Sequence, residues 1–507
     1  MEAASPNSRS KDRISDLPDE ILLKILSHLD IWEVVRTAEV SRRWRYAWKS
    51  VPKVNITSST WNRYPGKEKF LAFLNFVDRL LICRDNTSIH RFSVDVPNYY
   101  KATDSMRESI YTWIYALLQR NIQEIFLQLN NARSLDFDFP KELFRSKSLK
   151  RLELVMTNKA LTWIYFPESM CLPQLKSMCL PQLKSLCLRS ITITNIDSAN
   201  ELFKSCPGLE TLVLSNIDVH VEDDEQNFVI NNALLQHLEI KNIWYLNFYE
   251  DSIVNPKPIQ LDVPGLKKFI YEDSVVRENC CFINDSSSLV TADITMILND
   301  TYDENGHGDK VDEDPVLYSN VSEAKKEEFS KRMLKFLRAL HCVKELKLSP
   351  GFFEVLSRSP NLLDNPPLQF DNLRYLKMEL WLTRGCLDVI THLLKISPNV
   401  ESIYITSKEC GLENFNGVWE PELSQPCMLS HLKFIEIGAI QGNDNELKLL
   451  GLLLKNAVAL EDVKLYFHSN PCSTDQRRRE SEFIKKLKAL PRASSSINTS
   501  FVNPSYQ

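Results

Sequence analysis

One short phrase recurs eleven times between residues 122 and 465: an aliphatic residue, two variable ones, then two apolar residues separated by one more variable position. It reads IQEIFL from Ile122, LKRLEL from Leu149, LKSLCL from Leu183, LETLVL from Leu209, LQHLEI from Leu235 and LKKFIY from Leu266. It continues as VKELKL from Val343, LRYLKM from Leu373, VESIYI from Val400, LKFIEI from Leu432 and LEDVKL from Leu460. Successive starts lie 27, 34, 26, 26 and 31 residues apart, and later 30, 27, 32 and 28. Alternating apolar positions make each phrase a short strand with one buried face. A strand that short cannot bury its apolar face alone, so a sustained period near 27 predicts stacked units sharing one continuous core.

The period and phrase match a leucine-rich repeat, whose unit is a strand followed by a returning helix or loop. The fold class expected is therefore α/β, a solenoid built on a curved parallel sheet. The 34-residue gap has its own cause: CLPQLKSM at 171–178 is followed directly by CLPQLKSL at 179–186. An eight-residue duplication is too short for a rung, so one copy is expected in the strand and the other looped out; the sequence does not decide which. The variable positions of the phrase line the open face of the sheet. They include Arg151, Glu153, His237, Glu239, Tyr375, Lys377, Ser402 and Tyr404. About twelve rungs at ~4.8 Å spacing would sweep ~50–60 Å, a surface of protein size. The row reads as mixed in charge with no aromatic-plus-basic stripe, which argues against nucleic acid.

Between Leu289 and Val343 the repeat is interrupted, and 300–314 (DTYDENGHGDKVDED) is strongly acidic. Neither glycine there brings the ligand positions of a calcium loop into register, so an exposed loop over 299–316 is expected and no metal site. The stretch that follows carries Phe329, Met333, Phe336, Leu337 and Leu340 at helical spacing and should rejoin the solenoid as the helix of one repeat. Near the end, a buried helix leads into the LEDVKL strand. A charged helix containing RRR at 477–479 and a final strand follow.

Composition narrows the chemistry. Only 12 of 507 residues are glycine, and the phosphate-cradling and nucleophile-elbow motifs are absent. Lys and Arg number 61 against 66 Asp and Glu, a net charge of −5, so there is no global basic field. Twelve scattered cysteines without a CxxC pair read as free thiols. No cofactor, no metal and no membrane span are expected, and the N-terminus lacks the apolar core of a signal peptide. The expected location is the nucleus or the cytoplasm.

The first fifty residues differ from the repeat. Pro18, Asp19 and Glu20 suit the first turn of a helix. Ile21, Leu22, Ile25, Leu26 and Leu29 then form one apolar stripe. A second short helix would carry Val34, Val35, Ala38 and Val40, and a third, capped by Ser41, Trp44 and Trp48. Three short helices cannot bury so much apolar surface among themselves, so the rest of the chain or a partner must cover it.

Leu17-Pro18, the aliphatic spacing through Leu29, and the later Thr37, Val40, Ser41, Arg43, Trp44 and Trp48 resemble an F-box over about forty residues. Glu39 stands where an apolar residue is usual. The C-terminal order resembles the FBD region of plant F-box/LRR chains, on Glu446, Leu447, Asn456, Ala457 and Leu460, then Pro491, Arg492, Ala493 and Ser494. The resemblance implies a non-catalytic substrate receptor of an SCF-type ubiquitin ligase. Leu17, Pro18, Ile21, Leu22, Ile25, Leu26, Leu29, Val35 and Trp44 would bind a Skp-type adaptor and, through it, a cullin. Arg151, Glu153, His237, Glu239, Tyr375, Lys377 and Tyr404 are candidates to touch a target protein. A binding scaffold outside any ligase and a small-molecule receptor are the alternatives. The expected division is a disordered 1–11, an F-box over 12–55, a linker and cap over 56–120, the solenoid over 121–426 and an FBD-like region over 427–502.

Overall fold

In the computed structural model the described residues are 17–39, 43–61, 66–97, 104–130, 137–138, 140, 142–156, 163–165, 180–193, 196–221, 227–247 and 258–275. They continue with 280–284, 286–298, 318, 321–358, 369–408, 429–468, 474–494 and 496–502. The acidic stretch 299–316 and the first copy of the duplication, 171–178, lie outside them. The chain divides into two compact units, residues 1–223 with 246–252, and residues 224–245 with 253–507.

The first unit opens with α1 (Asp19–Leu26) and α2 (Ile31–Arg36). Pro18 precedes α1, and its carbonyl accepts from the Ile21 and Leu22 amides at 3.1 and 3.0 Å. Trp44 and Trp48 fall in a 3-10 helix, Trp44–Lys49, rather than the α-helix expected. Asp30 caps α2 through the Trp32 amide (2.8 Å) and also accepts from the Thr57 amide and hydroxyl (2.7 and 2.9 Å), tying the module to the end of the strand Lys53–Ile56. Trp32 packs edge-on against Trp61 and Phe76, with ring centroids 5.6 and 5.4 Å apart. Phe76 belongs to α3 (Lys67–Ile82). Part of the module's apolar surface is thus covered by the chain itself. Asp30→Ala removes a cap and a tertiary tie together, and should lower stability by about 1–2 kcal/mol, measurable by chemical denaturation.

Parallel strands Lys53–Ile56, Arg91–Val96, Glu124–Leu129, Arg151–Met156, Ser185–Arg189 and Thr211–Val221 follow in chain order, each paired with the next. α4 (Asp104–Leu118) returns the chain between the second and third, its Trp113 fully buried and donating to Asp78 of α3 at 2.6 Å. The ladder begins earlier than the eleven phrases suggest. Val51, Val54 and Ile56, and then Ile89, Phe92 and Val94, occupy the same buried positions within 56–120 and just before it. The rung at Ser185–Arg189 uses the second copy of the duplication, with Leu180, Leu183 and Leu186 buried.

The second unit repeats the pattern. Strands starting at His237, Lys268, Thr291, Glu345, Tyr375, Ser402, Phe434, Asp462 and Asn498 pair in parallel, each with the next. Thr291–Ile297 is a rung outside the eleven phrases, because Ala292 sits where they carry a larger apolar residue. At the starts of the strands from Lys268 to Asp462 two successive amides converge on one carbonyl of the preceding rung, as Arg374 and Tyr375 do on Lys344 (2.9 and 3.0 Å), so the stagger is locked. α6 (Glu323–Ala339) buries Phe329, Met333, Phe336 and Leu337 as expected. α7 (Pro350–Leu356) comes so close to the neighbouring rung that a Cβ on Gly351 would lie 2.2 Å from the Met296 carbonyl. Glycine is required there.

The C-terminal units are α9 (Asp444–Asn456), the strand Asp462–Phe467, the charged helix Thr474–Lys488 and the strand Asn498–Val502. Glu446 is 3% exposed. Its carboxylate accepts from the Gln441, Gly442 and Asn443 amides at 3.0, 2.7 and 3.0 Å, closing a reciprocal capping box with Asn443. Burial pushes this carboxyl above its ordinary value, against the pull of those hydrogen bonds.

Candidate functional site

Helix α1 separates the apolar stripe into two rows. Leu22 and Leu26 are 2% and 1% exposed and belong to the module's core. Ile21, Ile25 and Leu29 are 47%, 45% and 36% exposed, one turn apart on the other side. Of the five residues expected to offer one docking surface, two are therefore buried and three exposed in the free chain. Residues i and i+1 are ~100° apart around a helix, and here that angle spans the boundary between core and solvent. Leu17 is half-buried and Pro18 exposed. Arg43 donates to the Leu17 carbonyl and to Asp19, both at 2.5 Å, fixing the start of α1. Val35 is half-buried and lines a groove with Tyr46, Trp48 and Phe76. Trp44 is half-buried, and its indole N–H has no partner among the described residues.

The open face of each sheet is read from the alternation of burial along its strands. In the first unit Arg151 is exposed and pairs in register with Glu124 and Ser185, and Glu153 lies between Phe126 and Cys187. Burial, then Glu153, pushes the Cys187 thiol up to about 11, so it is a poor nucleophile. In the second unit Tyr375, Lys377 and Tyr404 come together, whereas His237 and Glu239 lie four strands away, ~19 Å at ordinary strand spacing. Burial, with Lys268 adding to it, holds the His237 imidazole below its usual value. Lys377 pairs with Glu345 at 2.5 Å and lies 5.7 Å from the centre of the Tyr404 ring. Tyr404 contacts Phe434 at 5.5 Å, and Lys464 sits 5.3 Å above Phe434.

Aromatic and basic residues therefore do alternate here, contrary to the reading of the phrases alone. The acids Asp293, Glu345, Glu379, Glu436 and Asp462 are interleaved with Lys347, Lys377, Lys408 and Lys464, so the face carries no excess of positive charge. Phe434 and Lys464 were legible as variable positions of LKFIEI and LEDVKL. What distinguishes them is the register Tyr404↔Glu436↔Lys464, which only pairing reveals. Among the described residues no group of three His, Cys, Asp or Glu could hold a metal ion, and no helix is long and apolar enough to cross a membrane.

Comparison with known proteins agrees with this architecture. Residues 14–55 match the family model for the F-box domain, and residues 110–276 that for the LRR repeats of FBD-associated F-box protein At5g56370. Residues 421–465 match the FBD, which takes in Glu446, Leu447, Asn456, Ala457 and Leu460 and stops before 491–494. Among relatives, F-box/LRR-repeat protein At3g59200 of Arabidopsis thaliana is 28% identical over 96% of this chain and 87% of its own length. F-box/FBD/LRR-repeat protein At4g26340 of the same plant is 26% identical over 97% of this chain and 100% of its own length. The chain thus carries F-box, LRR and FBD domains in that order and is similar over nearly its whole length to plant F-box/LRR and F-box/FBD/LRR proteins.

Proposed function

We propose that the chain is the substrate-recognition subunit of an SCF-type ubiquitin ligase, acting in the nucleus or cytosol without catalytic groups of its own. The observation that carries this is the row of Ile21 and Ile25 on α1 and Leu29 in the turn that follows it, three large aliphatics left 36–47% exposed while Leu22 and Leu26 are buried. In an F-box such a row is the natural seat for a Skp-type adaptor, which would link the chain to a cullin. The sheet faces, with Tyr375, Lys377, Tyr404, Phe434 and Lys464 clustered on the second, would hold a target protein. Tethering then raises the local concentration of a target lysine near the charged ubiquitin carrier.

The full chain, co-expressed with a Skp-type adaptor, should co-purify with it, and a Leu17→Ala/Pro18→Ala variant should recover less. Wild-type chain that folds and brings down no adaptor would sink the reading. One observation favours a scaffold outside any ligase: Trp32, Trp61 and Phe76 already pack the module onto α3 as a cap would. That packing leaves Ile21, Ile25 and Leu29 uncovered, so the adaptor reading explains more.

A further inference from the structure

A second site lies within the first unit, away from α1. The end of α4, the turn at Asn121 and the 3-10 helix Leu143–Arg145 enclose a cleft of about 540 Å³, open to solvent. Arg145, Lys147 and Lys150 all line it. Arg145 and Lys147 meet no carboxylate among the described residues, and the Lys150 ammonium donates only to the neutral Gln123 side chain, at 3.1 Å. The one acid in the lining, Glu142, is engaged by the Tyr115 hydroxyl at 2.9 Å. At other strand starts Lys184 pairs with Glu210 at 2.7 Å and Arg374 with Glu401 at 3.3 Å, while Lys267, like Lys150, meets a neutral glutamine, Gln236, at 3.2 Å. The lining therefore carries three cations against the single carboxylate of Glu142, in a chain of net charge −5.

The remaining lining supplies neutral donors. Gln123 and Gln182 bring side-chain amides, while the Ser148 hydroxyl already donates to the Ile122 carbonyl at 2.8 Å and lies 3.4 Å from that of Ser146. Three cations and two side-chain amides around one cleft suit a group with several oxygens and more than one negative charge. We propose that this cleft binds a phosphate monoester dianion. A single carboxylate presents two oxygens and one charge, and would leave most of these donors unanswered. The ester can come from a phosphorylated side chain of a target protein, in which case the site rests on the receptor reading above, or from a free phosphorylated small molecule.

The test uses the full chain and isothermal titration with three probes: a phosphoserine peptide with degenerate flanks, its unphosphorylated form, and O-phosphoserine. Saturable binding of a phosphorylated probe is expected. It should weaken as salt is raised and by about tenfold or more in Arg145→Gln/Lys147→Gln/Lys150→Gln. Peptide binding much tighter than O-phosphoserine identifies a protein source, and equal binding a small-molecule one. No saturable binding of either phosphorylated probe, binding of the unphosphorylated peptide as strong as its partner, or equal affinity in the triple variant would overturn the proposal. The three residues are exposed and remote in sequence from α1. Adaptor co-purification by the triple variant therefore stays at the wild-type level, which separates failure of this site from failure of the ligase reading.

Discussion

Ile21→Ala/Ile25→Ala is expected to weaken adaptor binding by about 10- to 100-fold with little change in the thermal midpoint of the free chain. Fully burying such a side chain contributes ~1.5–3 kcal/mol. Each isoleucine here is already about half covered, 47% and 45% exposed, so only part of that gain remains for a partner. Leu22→Ala/Leu26→Ala should behave in the opposite way. Those side chains are 2% and 1% exposed, and each truncation costs ~2–5 kcal/mol in the module's own core. The pair is adjacent in space, so the losses will not simply add. Affinity by titration and unfolding by calorimetry, measured on both variants, separate the two rows. Adaptor affinity unchanged in the Ile21/Ile25 variant would place the docking surface elsewhere on the chain.

That contrast also marks how far the sequence could be read. The spacing of Ile21, Leu22, Ile25, Leu26 and Leu29 announces a helix with an apolar side, but that side is wider than the surface the module can bury. Which edge faces inward depends on what α1 packs against, the 3-10 helix Trp44–Lys49 some twenty residues further on. The solenoid was more legible, because each phrase carries its own strand and its own inward leucines. Three rungs were missed although Val54, Phe92 and Ala292 fill the same fully buried place: VPKVNI and IHRFSV carry the phrase in full, and only Ala292 departs from a large apolar residue.

The open face is the least legible part. Tyr375, Lys377 and Tyr404 were singled out along with Arg151, Glu153, His237 and Glu239, because every variable position in a repeat looks alike in one dimension. Parallel pairing sorts them: Lys377 lies beside Tyr404, which touches Phe434, which lies beneath Lys464. His237 is left four strands away. A face assembled in this way can be rewritten residue by residue without disturbing the leucines behind it. The same alternation that makes the fold readable therefore leaves the target unspecified.

Glu446→Ala should be the most damaging single substitution outside the leucine core, lowering stability by about 3–5 kcal/mol. Its carboxylate is the common acceptor for three successive backbone amides where the chain turns from the strand Phe434–Ile440 into α9. Alanine leaves those part-buried donors without their acceptor; a fully buried group would cost ~1–3 kcal/mol each, not additively when they share one site. Water entering the space would recover part of the loss. Glu446→Gln isolates the chemistry at nearly constant volume. One carboxylate oxygen accepts from Gly442 and Asn443 and the other from Gln441, so an amide must set its own N–H₂ against at least one of these donors. The glutamine variant should therefore lose a large fraction of what alanine loses. Amide exchange should quicken first in α9 and in the strands Asp462–Phe467 and Asn498–Val502 that follow it, because this turn anchors the last rungs of the second unit. A glutamine variant as stable and as protected as wild type would show that burial, rather than the three hydrogen bonds, holds this turn.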